Sequence, residues 1–419
     1  MNETPKTEVE LPKEVKGLPP AHSTTPRRSW MWLSGVLATL LGAAVFASIV
    51  GSILYSSLDK KVHEQTLDIS HLQAQSEPVE EEEEDETPTD IFAGRSVNIL
   101  LMGIDARTGQ DEQIINPDDD DVTMRSDTTL LMHVAEDRES VTIVSLPRDM
   151  WVELPQCRRS DGSVSPSQWG QFNWAFSYGA QTDDLAAGVA CTESTVKSLT
   201  GFRPDAFAVI DFTGFSRMIE ALGGVEVCLD EAISDTRYLD LELEAGCQVL
   251  DPITATQYAR VRYVGDGSDM GRIQRQQDLL GAMALDALDS NLLTDLPSLY
   301  AFLTTAIEST KVSPTLSNLR ADAGFASSLQ DIDPENIRFI TMPTLVADFD
   351  ANRLLPEEPE NRELWMAIYN DEPLPAGTVF MDINGDYFTV LEDGELEPGG
   401  EPGPLEIGYL SDYTSSGDY

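Results

Sequence analysis

Arginine and aspartate recur in close pairs along this chain. They stand two residues apart at Asp105 and Arg107 and at Arg125 and Asp127, and side by side at Arg148 and Asp149. Arginine returns at Arg260 and Arg262, then at Arg272 and Arg275, with Gln276 following. In extended chain, residues two apart project from one face. In a helix, residues three and four apart do so, which puts Arg272, Arg275 and Gln276 together. Two arginines three apart repel unless an anion or acid answers them. Guanidinium forks grip phosphate or carboxylate through paired bonds, and aspartates hold hard divalent cations. If these segments converge, they form a pocket for a pyrophosphate held by arginine, with a metal at the aspartates. A ligand-free salt-bridge network explains any single pair as well. It explains the set less well, because seven of only 20 arginines fall in it, on a chain of formal charge −46.

The elements that must position these residues follow from the apolar runs. Val97–Ile104 is nearly continuous and predicts a strand buried on both faces. Further strands are expected at Thr128–Val134, Val141–Leu146, Phe207–Ile210, Val225–Leu229 and Ile337–Met342. Helices are expected at Asn173–Ala180, Asp183–Leu199 (capped by Thr182), Thr213–Leu222, Met270–Leu288, Pro297–Ser309 and Leu364–Tyr369. The alternation predicts an α/β domain with a central mixed sheet between helices. Asp105, Asp127 and Arg148 then stand at strand ends, where ligands gather in such folds. A polar insertion, Thr108–Thr123, carries aspartates at 118–121 but lacks the glycine and terminal glutamate of a calcium loop.

Composition excludes several classes. With 73 acidic against 27 basic residues, the chain repels nucleic acid, whose binding runs on phosphate neutralisation. No GxSxG elbow and no phosphate-binding GxxxxGK[ST] loop occurs. Of the four histidines only His133 lies in the expected domain, so a Ser-His-Asp triad is discounted.

The flanks speak to location. Residues 29–58 carry no charge and follow Arg27 and Arg28. That predicts an uncleaved transmembrane anchor at 30–58, a cytoplasmic tail at 1–29 and everything later outside. Residues 59–92 form an acidic stalk with seven consecutive acids at 80–86. The packed domain is expected at 93–371. The remainder, 372–419, is acidic and Gly/Pro-rich, and is expected to be disordered apart from a small hairpin around Asn384–Gly385. Cys157, Cys191, Cys228 and Cys247 all follow the anchor, where disulfides persist. Four cysteines allow three pairings. The favoured one is Cys228 with Cys247 and Cys157 with Cys191.

The ordered segments NILLMGIDAR, RSDTTLLMHV, VSLPRDMWVEL, FNWAFSYGA, DFTGFSRMIEALGGVEVCL and ARVRYVGDGSDMGRIQRQQ closely resemble the LytR-CpsA-Psr family, of the actinobacterial type. The resemblance covers about 95–371. It implies a magnesium-dependent phosphotransferase that moves a glycopolymer from a polyprenyl-pyrophosphate carrier to a peptidoglycan sugar hydroxyl, or to a wall glycoprotein. It implies Asp105 and Asp127 as metal ligands. Arg107, Arg125, Arg148, Arg260, Arg262, Arg272, Arg275 and Gln276 would bind the pyrophosphate. Arg148 and Asp149 are expected nearest the chemistry, and the base stays open between Asp127 and Asp149. A polyprenyl-pyrophosphate glycan hydrolase and a non-catalytic carrier-binding protein remain alternatives. Where the family commonly has Leu-Asp-Gly, this chain has Leu250–Asp251–Pro252, and proline suits a first helical turn.

Overall fold

The computed structural model describes residues 48–73, 90–105, 124–181, 183–235, 239, 241–261, 269–289, 295–400 and 407–408. The chain divides into two compact units, 1–56 and 57–419. Of the first, residues 48–56 are described and helical. Residues 30–47 of the expected anchor lie outside the described residues. Among those described, no helix is long and apolar enough to cross a membrane. The acids at 80–86, the aspartates at 118–121, Thr182, Arg107 and Arg262 also lie outside them.

In the second unit, nine strands join one mixed sheet. They are β1 (Val97–Ile104), β2 (Ser126–Val134), β3 (Val141–Ser145), β4 (Ala206–Asp211), β5 (Thr310–Val312), β6 (Ile337–Thr341), β7 (Val379–Asp382), β8 (Tyr387–Val390) and β9 (Leu396–Pro398), in the order β5-β4-β1-β2-β3-β6-β7-β8-β9. The pairs β1–β4 and β3–β6 are parallel and β1–β2 and β2–β3 antiparallel, so β1, β3, β4 and β6 point one way. The helices include α1 (Trp174–Ala180), α2 (Leu185–Thr200), α3 (Phe212–Leu222), α4 (Pro252–Arg260), α5 (Asp269–Asp289), α6 (Leu296–Ser309), α7 (Leu319–Ser328) and α8 (Glu360–Tyr369).

The apolar run of β1 explains why the sheet is covered on both sides. Leu100, Met102 and Ile104 enter one core with Phe176 of α1 and Val189 and Val196 of α2. Val97 and Ile99 alternate into another with Phe325 of α7. The boundaries follow capping chemistry. Asp184 caps α2 by accepting from the Ala187 amide, so the helix begins at Leu185. Asp251 caps α4 with Pro252 in its first turn, as expected for a residue that lacks an amide hydrogen.

Two domain limits need correction. Residues 379–398 are not a disordered tail. They supply β7, β8 and β9, and Phe380, Met381, Ile383 and Val390 are buried. Of their acids, Asp386, Glu392, Asp393, Glu395 and Glu397 are exposed, and the buried Asp382 accepts from the Asn384 and Asp386 amides, both at 2.9 Å, so the charge does not oppose burial of the apolar residues between them. The hairpin around Asn384–Gly385 is the β7–β8 turn. At the other flank, part of the expected stalk packs. Residues 57–65 are helical, the Leu67 amide donates to Val312 O at 2.8 Å, and Ile69 and Leu72 are buried in the main core.

Both disulfides have the favoured pairing. Cys157–Cys191 ties the strand at Cys157–Arg158 to α2. Cys228–Cys247 joins residues directly opposite on the paired strands Val225–Leu229 and Gly246–Leu250.

Candidate active site

The strand ends create the site. At the carboxyl end of β1 the register with β2 slips: Gly103 pairs with Thr128 but Ile104 with Ser126. Asp127 is thus the extra residue of a bulge, a device that re-aims a side chain at the rim of a sheet. Beyond the slip, the Asp105 amide donates to Arg125 O at 3.0 Å, which keeps Asp105 and Arg125 on adjacent strand ends.

Arg148 sits at the centre. It follows β3 in a turn closed by the Met150 amide on Pro147 O, and Arg148 O accepts from the Asn173 amide at 3.2 Å. Its Nη1 lies 3.1 Å from Asp127 Oδ2, and its Nε lies 3.3 Å from Asp269 Oδ1 and 3.6 Å from Asp149 Oδ2. Burial alone would lower its proton affinity. The carboxylates of Asp127, Asp269 and Asp149 outweigh burial and raise it, so the guanidinium stays charged.

The start of α5 completes the cluster. Asp269 is its first residue, where an acid favours the helix dipole, and it pairs with Arg272 one turn on. Arg272 is buried and donates from Nη2 to Asp127 O at 3.3 Å. Gln277, fully buried, anchors this helix to the sheet by donating to Ser145 Oγ at 2.8 Å and to Ile340 O and Thr341 Oγ1 at 3.3 Å.

Two of the expected residues make contacts at the end of α4. Arg275 donates to Val261 O at 2.5 Å and Gln276 to Ala259 O at 3.1 Å, so both brace the end of α4. Three and four helical residues span about 100° of arc. The shared face is therefore wide enough for Arg272 to face the acids while the other two face α4. Arg260 is the last helical residue of α4 rather than part of an extended pair, and its guanidinium lies 4.4 Å from the Phe212 ring centroid.

Four residues not singled out from the sequence join the site. They are Asp269, Asn173, Gln171 and Arg353. Asn173 Nδ2 donates to Asp127 Oδ1 at 3.1 Å, and Gln171 Nε2 to Asp149 Oδ1 at 2.6 Å. Arg353 Nη1 stands 4.0 Å from Asp149 Oδ1. Asp269 had a local signal, an acid three residues before an arginine at a helix start. Arg353 had none, because its loop reaches the site only through tertiary packing. Burial, and then the negative charge of Asp269, push the Asp149 carboxyl above the usual range, against the pull of Arg148, Arg272 and Arg353.

Among the described residues, no three His, Cys, Asp or Glu side chains gather as a metal cage. His133 lies elsewhere. It is buried between Asn98 and Asp371, at 2.9 and 2.7 Å, six residues along β2 from Asp127 and so about 20 Å away.

Known proteins resemble this chain. A Corynebacterium glutamicum protein described as the probable cell wall biosynthesis protein LcpB is 33% identical over 205 residues, covering 48% of this chain and 44% of that protein. The cell wall biosynthesis protein LcpA of the same organism is 27% identical over 271 residues, covering 61% and 51%. This chain thus matches about half the length of these two relatives. An Oceanobacillus iheyensis polyisoprenyl-teichoic acid–peptidoglycan teichoic acid transferase, TagU, is 27% identical over 274 residues, covering 64% and 73%. A solved structure of a Streptococcus agalactiae protein shares the fold, with a TM-score of 0.52 at 17% identity, covering 78% of this chain and 96% of that one. The family model described as LytR_cpsA_psr matches residues 60–368, and the chain belongs to that family.

Proposed function

We propose that this chain transfers a glycopolymer from a polyprenyl-pyrophosphate-linked donor to a peptidoglycan sugar hydroxyl, or to a wall glycoprotein, leaving a phosphodiester link. The observation that carries this reading is the buried cluster of Arg148 and Arg272 among Asp127, Asp149 and Asp269 at the strand ends. Family membership and the cell-wall roles named for the relatives support it.

In this mechanism Arg148 and Arg272, with Arg125, hold the diphosphate. The acceptor hydroxyl oxygen attacks the sugar-linked phosphorus. The bridging P–O bond breaks and polyprenyl phosphate departs, its growing charge met by guanidinium groups that are already in place. Both oxygens of Asp127 are engaged, by Arg148 and Asn173, whereas Asp149 accepts from Gln171 at Oδ1, stands farther from Arg148, at 3.6 Å, and has its proton affinity raised. We therefore assign Asp149 to take the hydroxyl proton. Arg107, Arg260, Arg262, Arg275 and Gln276 belong to the same proposal as further pyrophosphate ligands, and Arg275 and Gln276 also brace the end of α4.

Magnesium fits the donor set. It takes one or two carboxylates and completes its shell with phosphate and water, so Asp105 and Asp127 suffice without a third acid. Held there, it would supply charge neutralisation to the diphosphate. We further propose a single membrane span at 30–58 with the catalytic domain extracytoplasmic. Two disulfides suit an oxidising compartment.

The test is a transfer assay with the full chain in detergent, a labelled polyprenyl-pyrophosphate oligosaccharide, magnesium and peptidoglycan fragments. Label should appear in the fragments through a phosphodiester and vanish with chelator. An Asp105→Ala, Asp127→Ala double variant should still bind the lipid but lose transfer. Sugar phosphate released without transfer would indicate a hydrolase. Bound lipid without turnover would indicate a carrier-binding protein.

A further inference from the structure

Next to Asp149 the paired strands Trp151–Leu154 and Gln168–Gln171 form a hairpin with two unlike faces. Val152 and Leu154 are buried in the core. Alternation puts Trp151 and Glu153 on the other face, with their cross-strand partners Gln171 and Trp169. On that face both tryptophans are half-buried and Glu153 is exposed. The ring of Phe349, 46% exposed, meets Trp151 edge to face at 5.6 Å, and Trp174 meets it at 6.1 Å. At the end of the face Gln171 donates to Asp149 Oδ1 at 2.6 Å, so the aromatic surface runs directly into the Arg–Asp cluster.

Rings open to solvent and interspersed with an amide and a carboxylate match a pyranose. Its CH-rich face packs on aromatic rings, and its hydroxyls and acetamido groups bond to the polar groups between them. An isoprenoid tail needs a surface free of polar groups that it would leave unsatisfied, and Glu153 and Gln171 interrupt this one. A diphosphate would meet the carboxylate of Glu153.

We propose that this face is a subsite for N-acetylhexosamine rings of the acceptor glycan, with Trp151 and Phe349 as stacking rings that deliver a hydroxyl towards Asp149. The proposal rests on the reading that the chain transfers to a wall sugar. The probes are chitotetraose, a β-1,4-linked N-acetylglucosamine tetramer, and geranylgeranyl pyrophosphate, each titrated by calorimetry into the full chain in detergent. The tetramer is expected to bind. Phe349→Ala should weaken it about three- to tenfold, the loss of one aromatic contact. Phe349→Tyr should restore it, and neither change should alter geranylgeranyl pyrophosphate binding. Phe349 is exposed, so its truncation leaves the core intact, which an unchanged melting temperature would verify. Three results would overturn the proposal: no tetramer binding by the unmodified chain, equal binding by Phe349→Ala and a Trp151→Leu variant, or equal weakening of the diphosphate, which would give the face to the lipid. Tetramer binding that depends on Phe349, without any diphosphate binding, would uphold the subsite and sink the proposed transfer.

Discussion

Arg148 and Arg272 are nearly enclosed, with side chains 12% and 4% exposed, and Asp269 stands between them. Removing one partner of such a buried set leaves the others uncompensated, at a cost of about 3–5 kcal/mol. Asp269→Ala should therefore lower stability by about that much in denaturant titrations. Added inorganic pyrophosphate should raise the melting temperature of the variant more than that of the unmodified chain, because the anion can stand in for the lost carboxylate. An equal rise in both would show that the two arginines do not face an anion site. The residue types and their spacing already marked this cluster. They did not distinguish Arg272, which meets the acids, from Arg275, which donates to Val261 O, because both choices satisfy the same helical period.

Strands β7 to β9 continue the sheet beyond β6, and Phe380 and Met381 are buried against it. Ending the chain at Asp371 should abolish cooperative unfolding in calorimetry, since β6 would become an open edge over an uncovered core. A chain so shortened that still melts with the original temperature would contradict this. A finer probe is Gly281 of α5. A Cβ there would lie 2.9 Å from Ile383 O in the β7–β8 turn. Gly281→Ala should cost about 1–3 kcal/mol by overpacking, despite the better helix propensity of alanine. This helix carries Asp269 and Arg272, so transfer activity should fall with it. The apolar residues of 379–390 were legible as a hairpin. Their membership of the main sheet was not, because nothing local specifies which edge a hairpin joins.

The whole molecule carries a formal charge of −46, and several of its carboxyls are buried. Burial holds Glu193 of α2 up to about 7, against the donating Gln73 and the nearby Arg203 and Lys197. Burial likewise holds Asp278 and Asp322 up to about 7. Unfolded, a glutamate gives up its proton at about pH 4.3. Between that value and about 7 the folded chain binds more protons than the unfolded one, so stability falls as pH rises and levels off above. The melting temperature should be lower at pH 8 than at pH 5.5. General charge repulsion acts in the same direction. The discriminating variant is Glu193→Gln, which should narrow the difference between the two pH values. An unchanged difference would remove Glu193 from the account.

By itself the sequence determined the α/β class, the strands β1 to β3 and the chain order of the Arg and Asp segments. These rest on short-range physics: apolar period, capping, charge and spacing. Tertiary structure alone decided that the β1–β2 bulge turns Asp127 towards Arg148, that the loop of Arg353 closes on Asp149, and that 379–398 belongs to the sheet. It also decided that Trp151, Trp169 and Phe349 share the neighbourhood of Asp149. Contacts between residues some 200 positions apart depend on how strands are ordered and registered, and no local pattern encodes that order.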